Sequence, residues 1–111
     1  MAPLTPSSVA LITASSAGLG AATARLFASH GIRVIINYNS SAQKAETLVK
    51  ELAHLDSSKD GNPKEKRYTA ICADMSQKSE VQKLVKKSVE VMGRLDVGMS
   101  PLIVISVYVV F

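Results

Sequence analysis

The sequence is short of cysteine, aromatic residues and glycine. One cysteine among 111 residues excludes a disulfide framework and a cysteine-rich zinc site. Six glycines and four prolines are too few for a collagen-like or low-complexity chain. The apolar content of 47% with a net charge of only +4 also excludes a disordered chain, and it predicts one globular domain with a single core.

Charge is spread unevenly along the chain. Residues 1–41 carry only Arg25 and Arg33, residues 42–96 carry eleven basic and nine acidic side chains, and residues 97–111 carry none. The mixed middle is typical of solvated helix faces, so we expect no nucleic-acid partner. There is no signal-peptide start, and the apolar run 102–111 is much shorter than the about 20 residues that span a bilayer. We therefore expect a cytoplasmic protein with no membrane partner.

Strand-like and helical patterns alternate along the chain. Apolar and β-branched runs predict strands at residues 9–13, 33–38 and 68–73, and a fourth strand from Leu95 onward. Three stretches between them have apolar residues at helical spacing. The order β-α-β-α-β-α-β predicts an α/β fold, a truncated Rossmann-type doubly wound parallel sheet.

Each helix has an expected face and an expected boundary. Ser40 with Gln43 predicts a capping box for the second helix, Ser76 predicts the N-cap of the third, and Gly93 predicts its end. The residues at helical spacing are Leu19, Ala22, Thr23, Leu26 and His30 in the first helix, Ala45, Leu48, Val49, Leu52 and Leu55 in the second, and Val81, Leu84, Val85, Val89 and Met92 in the third.

The loop after the first strand carries the strongest chemical signal. It follows a strand and opens a helix, so its backbone N–H groups and the helix N-terminus favour a phosphate group. Its small residues would let a pyrophosphate approach the backbone closely. The alternative is a small-residue turn that binds no ligand. The letters of the loop are Thr-Ala-Ser-Ser-Ala-Gly-Leu-Gly, residues 13–20.

This loop resembles the Thr-Gly-x-x-x-Gly-x-Gly loop of the short-chain dehydrogenase/reductase family. Three later segments, 34–41, 73–76 and 93–97, are similar to further parts of that family in the same order. The resemblance covers about residues 8–97 and implies an NAD(P)-dependent oxidoreductase. One departure lies in the loop, where Ala14 stands in place of the first glycine. That change would weaken binding if the position needs a positive φ.

The resemblance also implies which residues bind the cofactor. Ser16, Gly18, Leu19 and Gly20 would hold the pyrophosphate, and the turn of Asn39, Ser40 and Ser41 would face the adenosine ribose. Asp74 and Met75 would flank the adenine, although Asp74 would alternatively cap the next helix.

The kind of nicotinamide cofactor is read from the turn after the second strand. A site that prefers NAD usually has an acid about 20 residues past the loop, which binds the ribose 2′-OH. Residues 37–41 contain no acid to repel a 2′-phosphate, and they supply Ser and Asn donors, but they also contain no Arg. The turn favours NADP over NAD.

The residues that perform the family's chemistry are not found in these 111 residues. In the family, a Tyr acts as general acid/base and a Lys four residues later lowers its pKa. Here Tyr38 is followed at that spacing by Ala42, and Tyr68 by Cys72. We therefore expect no catalysis by this chain alone. A longer parent enzyme would move hydride between NADP(H) and a carbonyl or alcohol.

After Val97 the resemblance ends. We expect residues 1–97 to be the N-terminal half of a dinucleotide-binding domain and residues 98–111 to be an apolar tail that is able to form a fourth strand. One hypothesis for the break is translation through an intron to an early stop. The alternative function is a non-catalytic truncated isoform that associates with a full-length homologue through this tail, and an isolated chain of this kind is expected to be poorly soluble.

The remaining candidate residues have plain structural interpretations. His30 and His54 each fall late in a helix, where a cation is favoured, and are better explained as caps than as metal ligands. Cys72 falls in an apolar strand and is expected in the core. A receiver-like α/β module is the weakest alternative, because it would need several acids at strand ends and only Asp74 is there.

Overall fold

The computed structural model describes residues 5–13, 18–56 and 67–99. All strand pairs are parallel, and the strand order is β3-β2-β1-β4. This arrangement confirms the predicted α/β fold, because it is the first half of the Rossmann order. The elements are β1 (Val9–Ile12), α1 (Gly18–Ser29), β2 (Arg33–Tyr38), α2 (Ala42–Leu55), β3 (Tyr68–Cys72), α3 (Lys78–Met92) and β4 (Val97–Met99).

The sheet is covered on both faces, so the middles of its central strands, β1 and β2, are apolar. In β2, Val34 and Ile36 pack toward α1 and α2, while Ile35 packs toward α3. All three side chains have no exposed surface. Strands that are buried on both faces have continuous apolar runs rather than alternation, and β1 and residues 34–36 of β2 have such runs.

Helix α1 forms as expected but buries a different face. Its buried residues are Gly20, Ala21, Ala24 and Ala28, whereas Leu19 and Leu26 are 65% and 60% exposed. The prediction that the leucine stripe is its packed side was therefore wrong. Small side chains face the sheet because they let the helix approach the strands closely.

The expected N-caps of the two later helices are each displaced by one residue. Ser41, not Ser40, is the N-cap of α2, and Gln77, not Ser76, is the N-cap of α3. Neither cap residue makes a side-chain hydrogen bond to its helix, so the capping box is not formed. Gly93 ends α3 in the left-handed conformation, with a φ of 84°, as predicted.

The amino-terminal edge of the sheet is held by buried polar groups. Arg33 is 4% exposed, and its Nη2 donates to the carbonyl oxygens of Ser7 at 3.0 Å and Met92 at 3.1 Å. Asp96 accepts a hydrogen bond from the Val9 N–H at 2.8 Å. These contacts join the starts of β1 and β2 to the end of α3 and to Asp96. They lie at the amino-terminal ends of the strands and do not involve the carboxyl-terminal ends.

Candidate functional site

The carboxyl-terminal edge of the sheet has the topology of a ligand site. After β1 the chain moves outward through β2 to β3, and it then returns to pair β4 on the other side of β1. Ligands of open α/β sheets bind outside the carboxyl ends of the strands at such a reversal of strand order. Three segments of the described chain meet this edge, one after each of β1, β2 and β3.

The first segment is the beginning of α1. Gly18 has a φ of +64°, and a Cβ built there would meet no atom within 4 Å, so this position needs glycine for its backbone conformation rather than for space. Gly20 is buried and Leu19 is exposed. The first N–H groups of α1 have no acceptor within the helix, which makes them donors for an anion. Ser16 and Ala14 lie outside the described residues.

The second segment is the turn after β2. Asn39 and Ser40 are exposed and Ser41 is half-buried. The first hydrogen bond of α2 runs from the Ala45 N–H to the Ser41 carbonyl at 3.1 Å. As in α1, the first N–H groups of α2 have no acceptor within the helix, and the Ser41 side chain does not cap them.

The third segment joins β3 to α3. Asp74 Oδ1 accepts hydrogen bonds from the Ser76 backbone N–H at 3.0 Å and from the Ser76 hydroxyl at 2.7 Å. These hydrogen bonds hold the pKa of the Asp74 carboxyl below its ordinary value. Asp74 thus shapes the turn without being the N-cap of α3, and its Oδ2 has no hydrogen-bond partner in the described part of the chain. Met75 beside it is 36% exposed.

Two residues that the sequence patterns did not single out as site residues connect the second and third segments. Asn37 is 1% exposed, and its Nδ2 donates to the carbonyl oxygen of Ala73 at 3.2 Å. Cys72 is exposed, contrary to the expectation that it belongs to the core, and its thiol donates to the carbonyl oxygen of Asn39 at 3.3 Å. An isolated amide within a β-branched strand was the available signal for Asn37.

The arrangement brings most of the expected site residues to one edge. Gly18, Leu19 and Gly20 follow β1, the turn 39–41 follows β2, and Asp74 and Met75 follow β3. Within residues 5–13, 18–56 and 67–99, no three His, Cys, Asp or Glu side chains gather as metal ligands. Over the same ranges, no helix has the length and apolar character needed to cross a membrane. The edge therefore offers backbone donors, hydroxyl and amide groups and one carboxylate.

Comparison with known proteins gives consistent matches to one family. The family model for short chain dehydrogenases matches residues 8–99. A short-chain dehydrogenase/reductase of Pestalotiopsis microspora is 36% identical over 89 residues. Among solved structures, a short chain dehydrogenase of Burkholderia cenocepacia, described in complex with NADP, superposes with a TM-score of 0.70 at 33% identity. A blue fluorescent protein from a metagenomic library, described in complex with NADPH, superposes with a TM-score of 0.68 at 32% identity.

These matches take in most of this chain but a minor part of each relative. The Pestalotiopsis alignment covers 80% of this chain and 30% of the relative. The Burkholderia superposition covers 83% of this chain and 34% of that one, and the metagenomic superposition covers 82% and 34%. The chain therefore spans about a third of the length of the relatives it matches. On the family match and the shared fold, this chain belongs to the short-chain dehydrogenase/reductase family.

Proposed function

We propose that this chain binds NADP(H) and supplies the dinucleotide-binding part of an oxidoreductase that transfers hydride between the cofactor and a carbonyl or alcohol. One observation carries the proposal. A glycine-initiated helix, an acid-free turn and an Asp-Met pair lie at the carboxyl ends of three consecutive parallel strands, next to the reversal of strand order. That is where dinucleotides bind in doubly wound sheets.

The residues present fit the chemical groups of a dinucleotide. The N–H groups at the start of α1 suit the pyrophosphate, since they are donors without an acceptor in the helix and lie at its positive end. Gly18 and Gly20 would let the backbone approach it, and Leu19 and Ser16 would complete the loop. Asp74 Oδ2, which has no hydrogen-bond partner among the residues that the structure describes, suits an amino group on the adenine, and the exposed Met75 side chain suits its ring face.

The preference for the phosphorylated cofactor is argued from the turn after β2. Asn39, Ser40 and Ser41 offer side-chain donors, and the adjacent N-terminus of α2 is not capped by a side chain. A dianionic 2′-phosphate is favoured at such an end and would be repelled by an acid. NAD binding usually uses an acid at this place, and residues 37–41 contain none.

The chain's part in the reaction is to bind and orient. When bound, the cofactor supplies or accepts the hydride. The three segments would fix its adenosine and pyrophosphate groups, so that binding energy from these remote groups positions the reacting end. No Tyr in the 111 residues is followed four positions later by Lys, so the proton transfer of the reaction would require residues that this sequence does not contain.

Two relatives support the choice of cofactor. The Burkholderia dehydrogenase is described with NADP and the metagenomic protein with NADPH, and each covers more than four fifths of this chain. Both are more than 30% identical to it. We expect the same class of ligand for this chain.

The test is a calorimetric titration of the full chain with NADPH and with NADH. We expect both to bind, with NADPH at least about tenfold tighter, a difference of about 1.4 kcal/mol. The variant N39D places an acid in the turn and should weaken NADPH by about tenfold or more while leaving NADH within about twofold. The variant K87Q, in an exposed part of α3, lowers the net charge by the same single unit and should change neither affinity.

Two results would contradict the proposal. Absence of binding of either dinucleotide to the folded chain would remove the cofactor function. Equal affinities, with N39D and K87Q behaving alike, would leave dinucleotide binding intact but would refute the preference for NADP.

A further inference from the structure

The interior of the carboxyl edge contains one buried amide whose presence the hydrophobic core does not explain. Asn37 follows Val34, Ile35 and Ile36 in β2 and is as buried as they are, at 1% exposed. A buried amide costs free energy unless it is hydrogen-bonded, and a further β-branched residue would fill this strand position without that cost. The reason for an amide at this position must therefore lie in the hydrogen bonds that it makes.

Those contacts reach across to the end of the neighbouring strand. The Asn37 Nδ2 donates to the Ala73 carbonyl at 3.2 Å and lies 3.4 Å from the Ile71 carbonyl. Ala73 lies one residue beyond β3, where the strand ladder has ended, and immediately before Asp74. The side chain of one strand thus holds the backbone from which the next turn begins.

Two further hydrogen bonds join the same two segments. The Ala73 N–H donates to the Tyr38 carbonyl at 2.9 Å, and the Cys72 thiol donates to the Asn39 carbonyl at 3.3 Å. Together with the Asn37 bond, they connect the turn 39–41 after β2 to the Asp74–Met75 turn after β3. Both turns belong to the proposed adenosine site, although they are more than thirty residues apart in sequence.

We propose that Asn37 is a positioning residue, whose amide sets the spacing between the turn 39–41 and the Asp74–Met75 turn, so that one adenosine group contacts both. The inference rests on the proposed function. The Cys72 thiol would hold the same spacing from the other side, as a weaker donor. Asn37 itself is buried and would act through the backbone of Ala73 rather than touch the ligand.

The test is a double-mutant cycle read by binding of adenosine 2′,5′-bisphosphate to the full chain. We expect N37V to weaken binding about tenfold and D74A to weaken it about tenfold. If Asn37 acts by placing Asp74, the affinity of the double variant for the bisphosphate should fall by less than about thirtyfold. Independent sites would give a fall of about a hundredfold. The control S88A removes a fully buried hydroxyl on α3, and its effect should simply multiply with that of D74A.

A second pair of variants keeps the test decisive if N37V does not fold. C72A removes the donor to the Asn39 carbonyl from an exposed side chain, and C72S retains a donor. We expect C72A to weaken the bisphosphate about two- to threefold and C72S to restore most of the affinity. With N37V unfolded, equal binding by C72A, C72S and the unchanged chain would overturn the inference.

The failures of the two proposals are distinguishable. If the unchanged chain binds no adenosine 2′,5′-bisphosphate, the proposed function fails first. If it binds and D74A weakens it, while N37V is without effect or fully multiplicative with D74A, only the positioning role of Asn37 is refuted. A lower melting temperature for N37V with unchanged affinity would likewise assign Asn37 to stability alone.

Discussion

At the scale of single residues, two glycines with a positive φ allow an effect on cofactor binding to be distinguished from an effect on stability. Gly18 and Gly93 have φ values of +64° and +84°, and at neither would an added Cβ meet an atom within 4 Å. The two positions therefore impose the same kind of backbone strain on any other residue. They differ in location, because Gly18 begins α1 at the proposed cofactor edge and Gly93 ends α3.

This pair makes a matched prediction. G18A and G93A should each lower the free energy of unfolding by about 1 kcal/mol, since alanine in the left-handed region costs about that much. Only G18A should also weaken NADPH, by about tenfold or more, because the strain moves donors away from the pyrophosphate. Urea unfolding and NADPH titration of both variants give the comparison. Equal loss of affinity in G93A would show that the effect of G18A comes from general destabilisation.

Also at the scale of single residues, the Asp96 carboxyl makes the free energy of unfolding depend on pH. Partial burial raises its pKa, but the hydrogen bonds from Arg94 and from the Val9 N–H, with the charges of Arg94 and Arg33, outweigh burial and lower the pKa below its ordinary 3.8. A carboxyl whose pKa is depressed on folding stabilises the protein above its unfolded pKa. That contribution is lost as the pH falls through the folded pKa.

The variant D96N should remove this part of the pH dependence. We expect the unchanged chain to lose stability more steeply than D96N as the pH falls through and below the ordinary carboxyl pKa of 3.8, with D96N less stable at neutral pH. Urea midpoints across that range measure the difference. E90Q, which alters an exposed carboxylate without a hydrogen-bond partner in the described part of the chain, should follow the unchanged chain. Parallel curves for the unchanged chain and D96N would exclude the role of Asp96.

At the scale of elements, the sequence predicts which segments are strands and helices better than it predicts what each faces. The apolar run of β1, the β-branched run of β2 and the apolar stripes of α2 and α3 are local signals, and the corresponding elements form. The face of α1 is not a local property. Leucine dominates a pattern of hydrophobicity, whereas close packing on the sheet selects Ala21, Ala24 and Ala28. Which of the two faces of α1 packs on the sheet depends on how closely the helix approaches the strands, and the helix sequence alone does not give this distance.

The same limit applies at the carboxyl edge. Cys72 was expected in the core because it lies in an apolar run. It is exposed, because it is the last residue of β3 and β3 is the outermost strand in the order β3-β2-β1-β4. Strand order depends on contacts between distant segments, so the sequence of any one segment does not predict it. The glycine loop, the turn 39–41 and Asp74 were proposed as site residues because family motifs are local. The Asn37 amide depends on a neighbour 36 residues away and was not.

At the scale of the whole molecule, apolar surface is concentrated in a few places. Leu19 and Leu26 expose most of their side chains on α1. In the sequence, residues 102–111 form an uncharged run with many β-branched residues, Leu-Ile-Val-Ile-Ser-Val-Tyr-Val-Val-Phe. Segments of this composition form intermolecular β-structure when they are accessible. Association through residues 98–111 stays a prediction, because most of that segment lies outside the described residues.

We therefore predict that the whole chain self-associates, and that one charge introduced into residues 102–111 suppresses this association. At micromolar concentration, size-exclusion chromatography with light scattering should show species larger than a monomer. I105K should shift the chain toward the monomer, because a charge inside a β-prone segment blocks stacking of identical strands. A53K adds the same charge on the exposed side of α2 and separates this local effect from a general gain in solubility. A monodisperse unchanged chain would contradict the prediction, and equal benefit from both variants would place the cause in net charge rather than in the apolar run.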